Sequence, residues 1–187
     1  MHRSAAIYTA RQWTHQPIVY LDTETTGMDE RSEVIEIAIL GNDGATLYES
    51  FVRPRGRISP AANNVHGISL AQVIDAPPWL DVWAQIQPIL ETNLVAVYNA
   101  RFDYRLMQQS HTLAGQKWEL PFSQFVCVME LYAQFHGKRD SWSGSFRWQS
   151  LDKAREQCGL HLPNSHRAAD DARLTREVLH YVASKEI

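Results

Sequence analysis

Three strand-like runs crowd into the first third of the chain. "PIVYLD" (17–22), "EVIEIAILG" (33–41) and "ATLYESFVR" (45–53) concentrate or alternate apolar residues, and short connections join them. The "ND-G" signal from Asn42 to Gly44 marks a tight turn between the second and third. Parallel neighbours would need a longer crossover, so the arrangement implies an antiparallel meander. The first run also carries chemistry at its end. Asp22 and Glu24 follow its apolar residues, one residue apart, and an extended backbone points both to one side. Like charges this close repel, and one is driven to protonate unless a cation joins them.

No internal repeat, low-complexity tract or linker-like shift in composition divides the 187 residues, a length that suits one domain with a substantial core. Residues 1–16 read as a helical N-terminal extension to a single domain over 17–187. A helix is expected over about 79–91, then a fully apolar buried strand in "LVAVYN". Another helix runs from about Arg101 to Ser110, with Phe102 and Leu106 on one face. "FVCVMELYAQF" reads as a strand turning into a helix, and "GKRDSWSGSFRWQS" (137–150) as a polar, mobile loop. Helices in "SLDKAREQCGL" and "HRAADDARLTREVLHYVAS" close the chain. Strands first, then alternating helix and strand, fit an α/β mixed sheet flanked by helices.

The longest apolar stretches are far too short to cross a bilayer, and the N-terminus lacks an apolar core of signal-peptide length. Cys127 and Cys158 have no paired or zinc-ligand spacing, so they read as reduced thiols of a cytoplasmic protein without a membrane partner. The formal net charge of −3 at first argues against a nucleic-acid partner. That argument is weak, because carboxylates that bind divalent ions count as negative only when metal-free. Arg53, Arg55 and Arg57 cluster in one segment and Lys138, Arg139 and Arg147 in another, as solvated loops or as phosphate contacts.

Two more acidic segments matter. In "YNARFDYRLM", Asp103 occupies a helix's first turn, where an acid alone is usually a cap. It also lies just past a buried strand, where open α/β sheets place their sites. In "NSHRAADDARLT", Asp171 points toward the inward stripe of Ala168, Ala172, Thr175, Leu179 and Val182, while Asp170 faces a more mixed surface. An inward acid is costly unless paired or metal-bound. His166 falls in the loop leading into that helix. The other histidines outside "NNVHGIS", from His2 to His180, lack acidic partners at ligand spacing.

Asp-x-Glu, then Asp, then His-x4-Asp, in "LDTETTG", "YNARFDYRLM" and "HRAADDARLT", resembles the DEDDh family of 3′→5′ exonucleases, DnaQ-like proteins of the ribonuclease-H-like superfamily that include polymerase proofreading subunits. The resemblance covers nearly all of the chain after residue 16. The sister subtype carries Tyr four residues before the last Asp; Arg167 stands there, and His166 occupies the DEDDh spacing.

The resemblance implies a ribonuclease-H-like mixed five-stranded sheet, three antiparallel strands followed by two parallel ones, flanked by helices. It implies that Asp22, Glu24, Asp103 and Asp171 hold two Mg²⁺ or Mn²⁺ ions, with His166 as general base. Oxygen-only ligands suit those ions, and a His with pKa of about 6.5 suits proton removal near neutrality. "NNVHGIS" resembles the family's terminal-nucleotide segment, so His66 and Ile68 are expected at the last base or sugar, with a turn held by Gly67 as the alternative. The backbone of Thr25 is expected to receive the 3′-hydroxyl, although Thr25 and Thr26 also read as turn residues. Trp148 is expected to pack, and Trp142 is left open to stacking on unpaired bases.

The function these expectations imply is hydrolysis of terminal phosphodiesters, preferably of single-stranded DNA, releasing nucleoside 5′-monophosphates. The partner is then a nucleic acid with a free 3′ end, DNA in preference to RNA. An exoribonuclease trimming RNA 3′ ends is the main alternative, and a non-catalytic binding module the third. The chain stops soon after its last helix, which favours a free-standing repair or degradation enzyme over a polymerase-bound one. Recruitment through the N-terminal helix and assembly as a homodimer stay open.

Overall fold

The computed structural model describes residues 2–142, 144–162 and 165–186; Ser143 of the polar loop, Met1, Pro163, Asn164 and Ile187 lie outside the described residues. The elements are α1 (His2–Thr14), β1 (Ile18–Thr25), β2 (Val34–Gly41), β3 (Thr46–Phe51), α2 (Pro60–His66), α3 (Leu70–Val73), α4 (Trp79–Glu91), β4 (Leu94–Val97), α5 (Ala100–Leu113), β5 (Phe125–Cys127), α6 (Val128–His136), α7 (Leu151–Gln157) and α8 (Ala168–Ala183). The sheet order is β3-β2-β1-β4-β5. β1, β2 and β3 pair antiparallel, while β4 and β5 add parallel to the other side of β1. This is the expected mixed sheet, with helices on both faces.

Strand alternation sorts the core into two layers. Ile18, Tyr20, Ala38, Leu40 and Ala96 pack with α1, α6, α7 and α8. Val19, Leu21, Ile37, Ile39, Val95 and Val97 pack with α4 and α5. Continuing the same alternation along β1 puts Asp22 and Glu24 on the α8 face and Thr23 on the α5 face. β1 runs three residues further than "PIVYLD", so both acids belong to regular strand.

Two elements add to the expected layout. Residues 60–66, to which no element was assigned from sequence, form a helix: the Ser59 hydroxyl accepts from the Ala62 N–H, Pro60 opens the first turn, and Gly67 closes it at φ 70°. α1 also packs as an integral part of one layer. Its Ala6, Ile7 and Ala10 are buried against the core. The Arg11 guanidinium donates to the carbonyls of Ala183 (2.9 Å) and Lys185 (2.7 Å), capping the C-terminal end of α8. The 137–149 segment folds back on itself through an Arg139–Phe146 bridge, with the Arg139 guanidinium 4.7 Å from the Phe146 ring centre. Among the described residues, no helix is long and apolar enough to cross a membrane.

Candidate active site

β1 delivers Asp22 and Glu24, and α8 lies across β1 so that Asp171, in its first turn, reaches them. Carboxylate oxygens of Asp22, Glu24 and Asp171 all lie within 4.8 Å of one another, a spacing one cation can span. Asp103 approaches from the opposite layer, at the start of α5. Its Oδ1 accepts from the Thr23 hydroxyl at 2.7 Å and from the Thr23 N–H at 3.1 Å. The alternation that turns Asp22 toward α8 turns Thr23 toward Asp103, so one strand end gathers acids from both layers.

Burial dominates the electrostatics. It pushes Asp171 up to about 6, although His166 opposes the rise. It pushes Asp103 up to about 7 despite the two Thr23 hydrogen bonds, and Glu24 up to about 9 with help from Asp171 and Glu36. Asp22 is raised well above the usual carboxylate range by burial and then by Asp103, Asp171 and Glu24. Four acids this close cannot all ionise near neutrality without added positive charge. One oxygen states the need directly: Asp171 Oδ1 is buried and has no hydrogen-bond partner among the described residues. An oxygen-only donor set with an orphaned carboxylate oxygen fits a hard divalent cation.

His166 stands just before α8 with its side chain half exposed and Nδ1 3.9 Å from Asp171 Oδ2. Its φ of 51° is the one left-handed backbone among the described non-glycine residues. A cavity of about 300 Å³, lined by Ser150, Leu151, Asp152, His166 and Asp171, opens on this side. A second, mostly apolar cavity of about 310 Å³ opens beside Glu24, walled by Thr25, Met28, Val65, His66 and Phe102 among others.

His66 and Thr25 both line this second cavity, and His66 is already committed. Its Nε2 donates to the Thr25 carbonyl (3.1 Å) and its Nδ1 accepts from the Ile68 N–H (3.0 Å). Burial holds it below its usual pKa and neutral. It braces the Thr25 backbone. Ile68 corrects the expectation: it is 1% exposed and packs with Ile35 and Val73, away from the cavity, because it follows the Gly67 cap inward.

Trp148 is a second correction. It was expected to pack, yet it is 61% exposed, and Trp142 is 99% exposed. Trp148 is carried outward because its neighbour Gln149 takes the buried position, with the Gln149 carbonyl accepting from the Tyr98 hydroxyl at 2.9 Å. Of the basic cluster at 53–57, Arg55 is committed to the last carbonyl of α5, on Leu113. Sequence reading passed over Glu36. It is 2% exposed, directly opposite Glu24 in the β1–β2 register, and ion-paired with Arg167. A Glu inside the otherwise apolar run "VIEIAIL" was the available signal.

The family model for exonucleases of the RNase T type matches residues 19–179. An uncharacterised exonuclease of Escherichia phage 186 is 29% identical over 180 residues, covering 93% of this chain and 92% of its own. The PolC-type DNA polymerase III of Thermotoga petrophila is 30% identical over 86% of this chain, which spans only 11% of that polymerase. Among solved structures, exonuclease X in complex with 5′-overhanging duplex DNA superposes with a TM-score of 0.65 at 24% identity, covering 88% of this chain and 90% of that one. The five-stranded mixed sheet, the acidic cluster at the end of its central strand and the match over nearly the whole domain place the chain in the RNase T exonuclease family, as a DnaQ-like 3′→5′ exonuclease of the DEDDh type.

Proposed function

We propose that the protein hydrolyses the 3′-terminal phosphodiester of DNA, preferentially single-stranded, and releases nucleoside 5′-monophosphates. The observation that carries this reading is the triangle of Asp22, Glu24 and Asp171 oxygens with its orphaned Asp171 Oδ1. In it, Asp22, Glu24 and Asp171 would hold one Mg²⁺ or Mn²⁺, and Asp22 with Asp103 would hold a second. Such a pair, when bound, stabilises the attacking and leaving oxygens of an in-line displacement. Asp103 would support that second ion from the Thr23 side, with its Oδ1 already oriented by two Thr23 hydrogen bonds.

His166 is the general base. Its half-exposed ring lines the cavity beside Asp171 and can pass a proton to solvent. The apolar cavity on the other side of Glu24 takes the terminal nucleotide. Phe102, Met28 and Val65 offer faces to the base and sugar, and His66 fixes the Thr25 backbone that meets the 3′-hydroxyl. Trp148, exposed two residues before cavity-lining Ser150, offers an indole to a base further along the strand. The preference for DNA draws on relatives that are parts of DNA polymerases and on the duplex-bound neighbour. A cytoplasmic role in DNA repair or degradation agrees with the free thiols of Cys127 and Cys158, and docking beside a polymerase is a second setting for the same chemistry.

The test uses 5′-labelled DNA and RNA single strands of equal length and sequence, incubated separately with Mg²⁺ or Mn²⁺, with a chelator control. A chelator-sensitive ladder shortening from the 3′ end, faster on DNA, is expected. A faster RNA ladder would refute the substrate assignment, and no shortening of either strand would refute the activity.

A further inference from the structure

Glu36 stands beside the acidic cluster without belonging to it. It is directly across from Glu24 on the same sheet face, and both of its oxygens are spent elsewhere. The Arg167 Nε donates to them at 3.0 and 3.1 Å, Arg167 Nη2 adds a further bond to Oε1, and the Ala168 N–H donates to Oε2 at 3.0 Å. Arg167 is the N-cap residue of α8, and its own side chain makes no capping bond. Glu36 supplies that function from the neighbouring strand, placing a carboxylate where the first turn presents free N–H groups and positive dipole. The Arg167 guanidinium also lies 5.4 Å from the Phe51 ring centre, on β3.

Arg167 and Ala168 immediately follow His166. His166 itself approaches Asp171 at 3.9 Å and holds a left-handed backbone. A non-glycine residue persists in that conformation only when its surroundings over-determine it. Here the constraint comes from behind, through residues 167 and 168 hooked to β2. Asp171 is held separately, by the helix itself: its N–H donates to the Arg167 carbonyl at 3.0 Å, a backbone bond that does not involve the Arg167 side chain.

We propose that Glu36 and Arg167 are positioning residues: the bidentate pair between buried Glu36 and half-exposed Arg167 fixes the 166–168 backbone so that His166 faces the reacting end of the strand. This rests on the reading of His166 as general base. The geometry required of a base leaves little tolerance, so loosening the hook reduces turnover more than substrate binding.

The experiment measures kcat and KM on a single-stranded DNA oligonucleotide with Mn²⁺, together with thermal unfolding. It compares wild type, R167Q, R167K and H166A with the double variant R167Q/H166A. R167Q is expected to lower kcat about 10–100-fold, the range for residues that orient a functional group, with KM little changed. R167K keeps the charge but loses the fork, and is expected to recover part of the loss. In the H166A background the same R167Q change is expected to alter kcat by no more than about threefold, because no base remains to be positioned. An equal loss in both backgrounds would overturn the positioning role while leaving the base intact. H166A turning over at the wild-type rate would overturn the base assignment and this inference with it. Should R167Q fail to fold with Glu36 left unpaired, E36Q/R167Q removes that buried charge, and the same comparison with and without H166A applies.

Discussion

Replacing Asp171 by Asn should stabilise the metal-free protein at pH 8, an unusual direction for a change in an active site. Asp171 has an 11% exposed side chain and one oxygen without a hydrogen-bond partner among the described residues. Burial raises its pKa to about 6 from a usual value of 3.8. A carboxyl whose folded pKa lies above its unfolded one stabilises the fold below about pH 4 and loses that contribution as pH rises through about 6. The shift corresponds to about 3 kcal/mol at 1.36 kcal/mol per unit. Local rearrangement and water entry reduce this, so about 1–3 kcal/mol should be recovered by Asn, whose amide can donate to the Asp22 or Glu24 oxygens within the 4.8 Å triangle. For a domain of this size, 2 kcal/mol is a rise in Tm of about 4–8 °C. The assay is thermal unfolding by circular dichroism in chelator at pH 8 and pH 4. The variant should melt higher at pH 8, and the two proteins should converge at pH 4, where the wild-type carboxyl is protonated. Saturating Mn²⁺ at pH 8 should reverse the order, since about 100-fold excess over Kd adds about 2.7 kcal/mol to the protein that keeps its ligands. A variant that melts lower than wild type in chelator at pH 8 would refute the account of this cluster as strained for want of a cation.

Asp103→Ala should leave no detectable 3′ ladder while shifting Tm by only a few degrees. The freed Thr23 donors cost about 1–3 kcal/mol, offset by removing a buried acid, and near-wild-type turnover would exclude Asp103 from the metal set. Trp148→Ala should weaken single-strand binding by about 1–3 kcal/mol in a fluorescence-anisotropy titration without changing Tm, as the ring is exposed; an unchanged Kd would remove it from the strand path. Arg11→Ala should lower Tm by about 6 °C or more, because two charge-assisted bonds to the end of α8 are worth about 1.5–3 kcal/mol each; an unchanged Tm would show that α1 is held by apolar packing alone.

Much of this was legible in the sequence, for identifiable physical reasons. Period-2 alternation located β1, β2 and β3, and the same alternation predicted that Asp22 and Glu24 would share a face. The helical stripe around Ala172 and Leu179 predicted that Asp171 would turn inward. What stayed hidden depends on contacts between distant segments. Nothing local in "AAIYTARQW" says that Ile7 is buried or that Arg11 reaches Ala183. Glu36 and Arg167 are 131 residues apart, and neither carries a spacing rule that points to the other. The exposure of Trp148 follows from the anchoring of Gln149 by Tyr98, a contact across 51 residues. α2 was within reach, since Ser59-Pro60 and Gly67 are ordinary start and stop signals, but its seven residues show no apolar period.

The Arg11 cap sets an order of assembly. The helix that carries it is synthesised well ahead of the carbonyls it grips, which belong to Ala183 and Lys185. At about 5–20 residues per second, α1 emerges roughly 10–30 s before its partner exists. Throughout that interval Ile7 and Ala10 have only part of their final surroundings. The docking of α1 thus waits for α8 to be made, and a chain interrupted before α8 lacks the seat for α1 and the third corner of the acidic triangle at once.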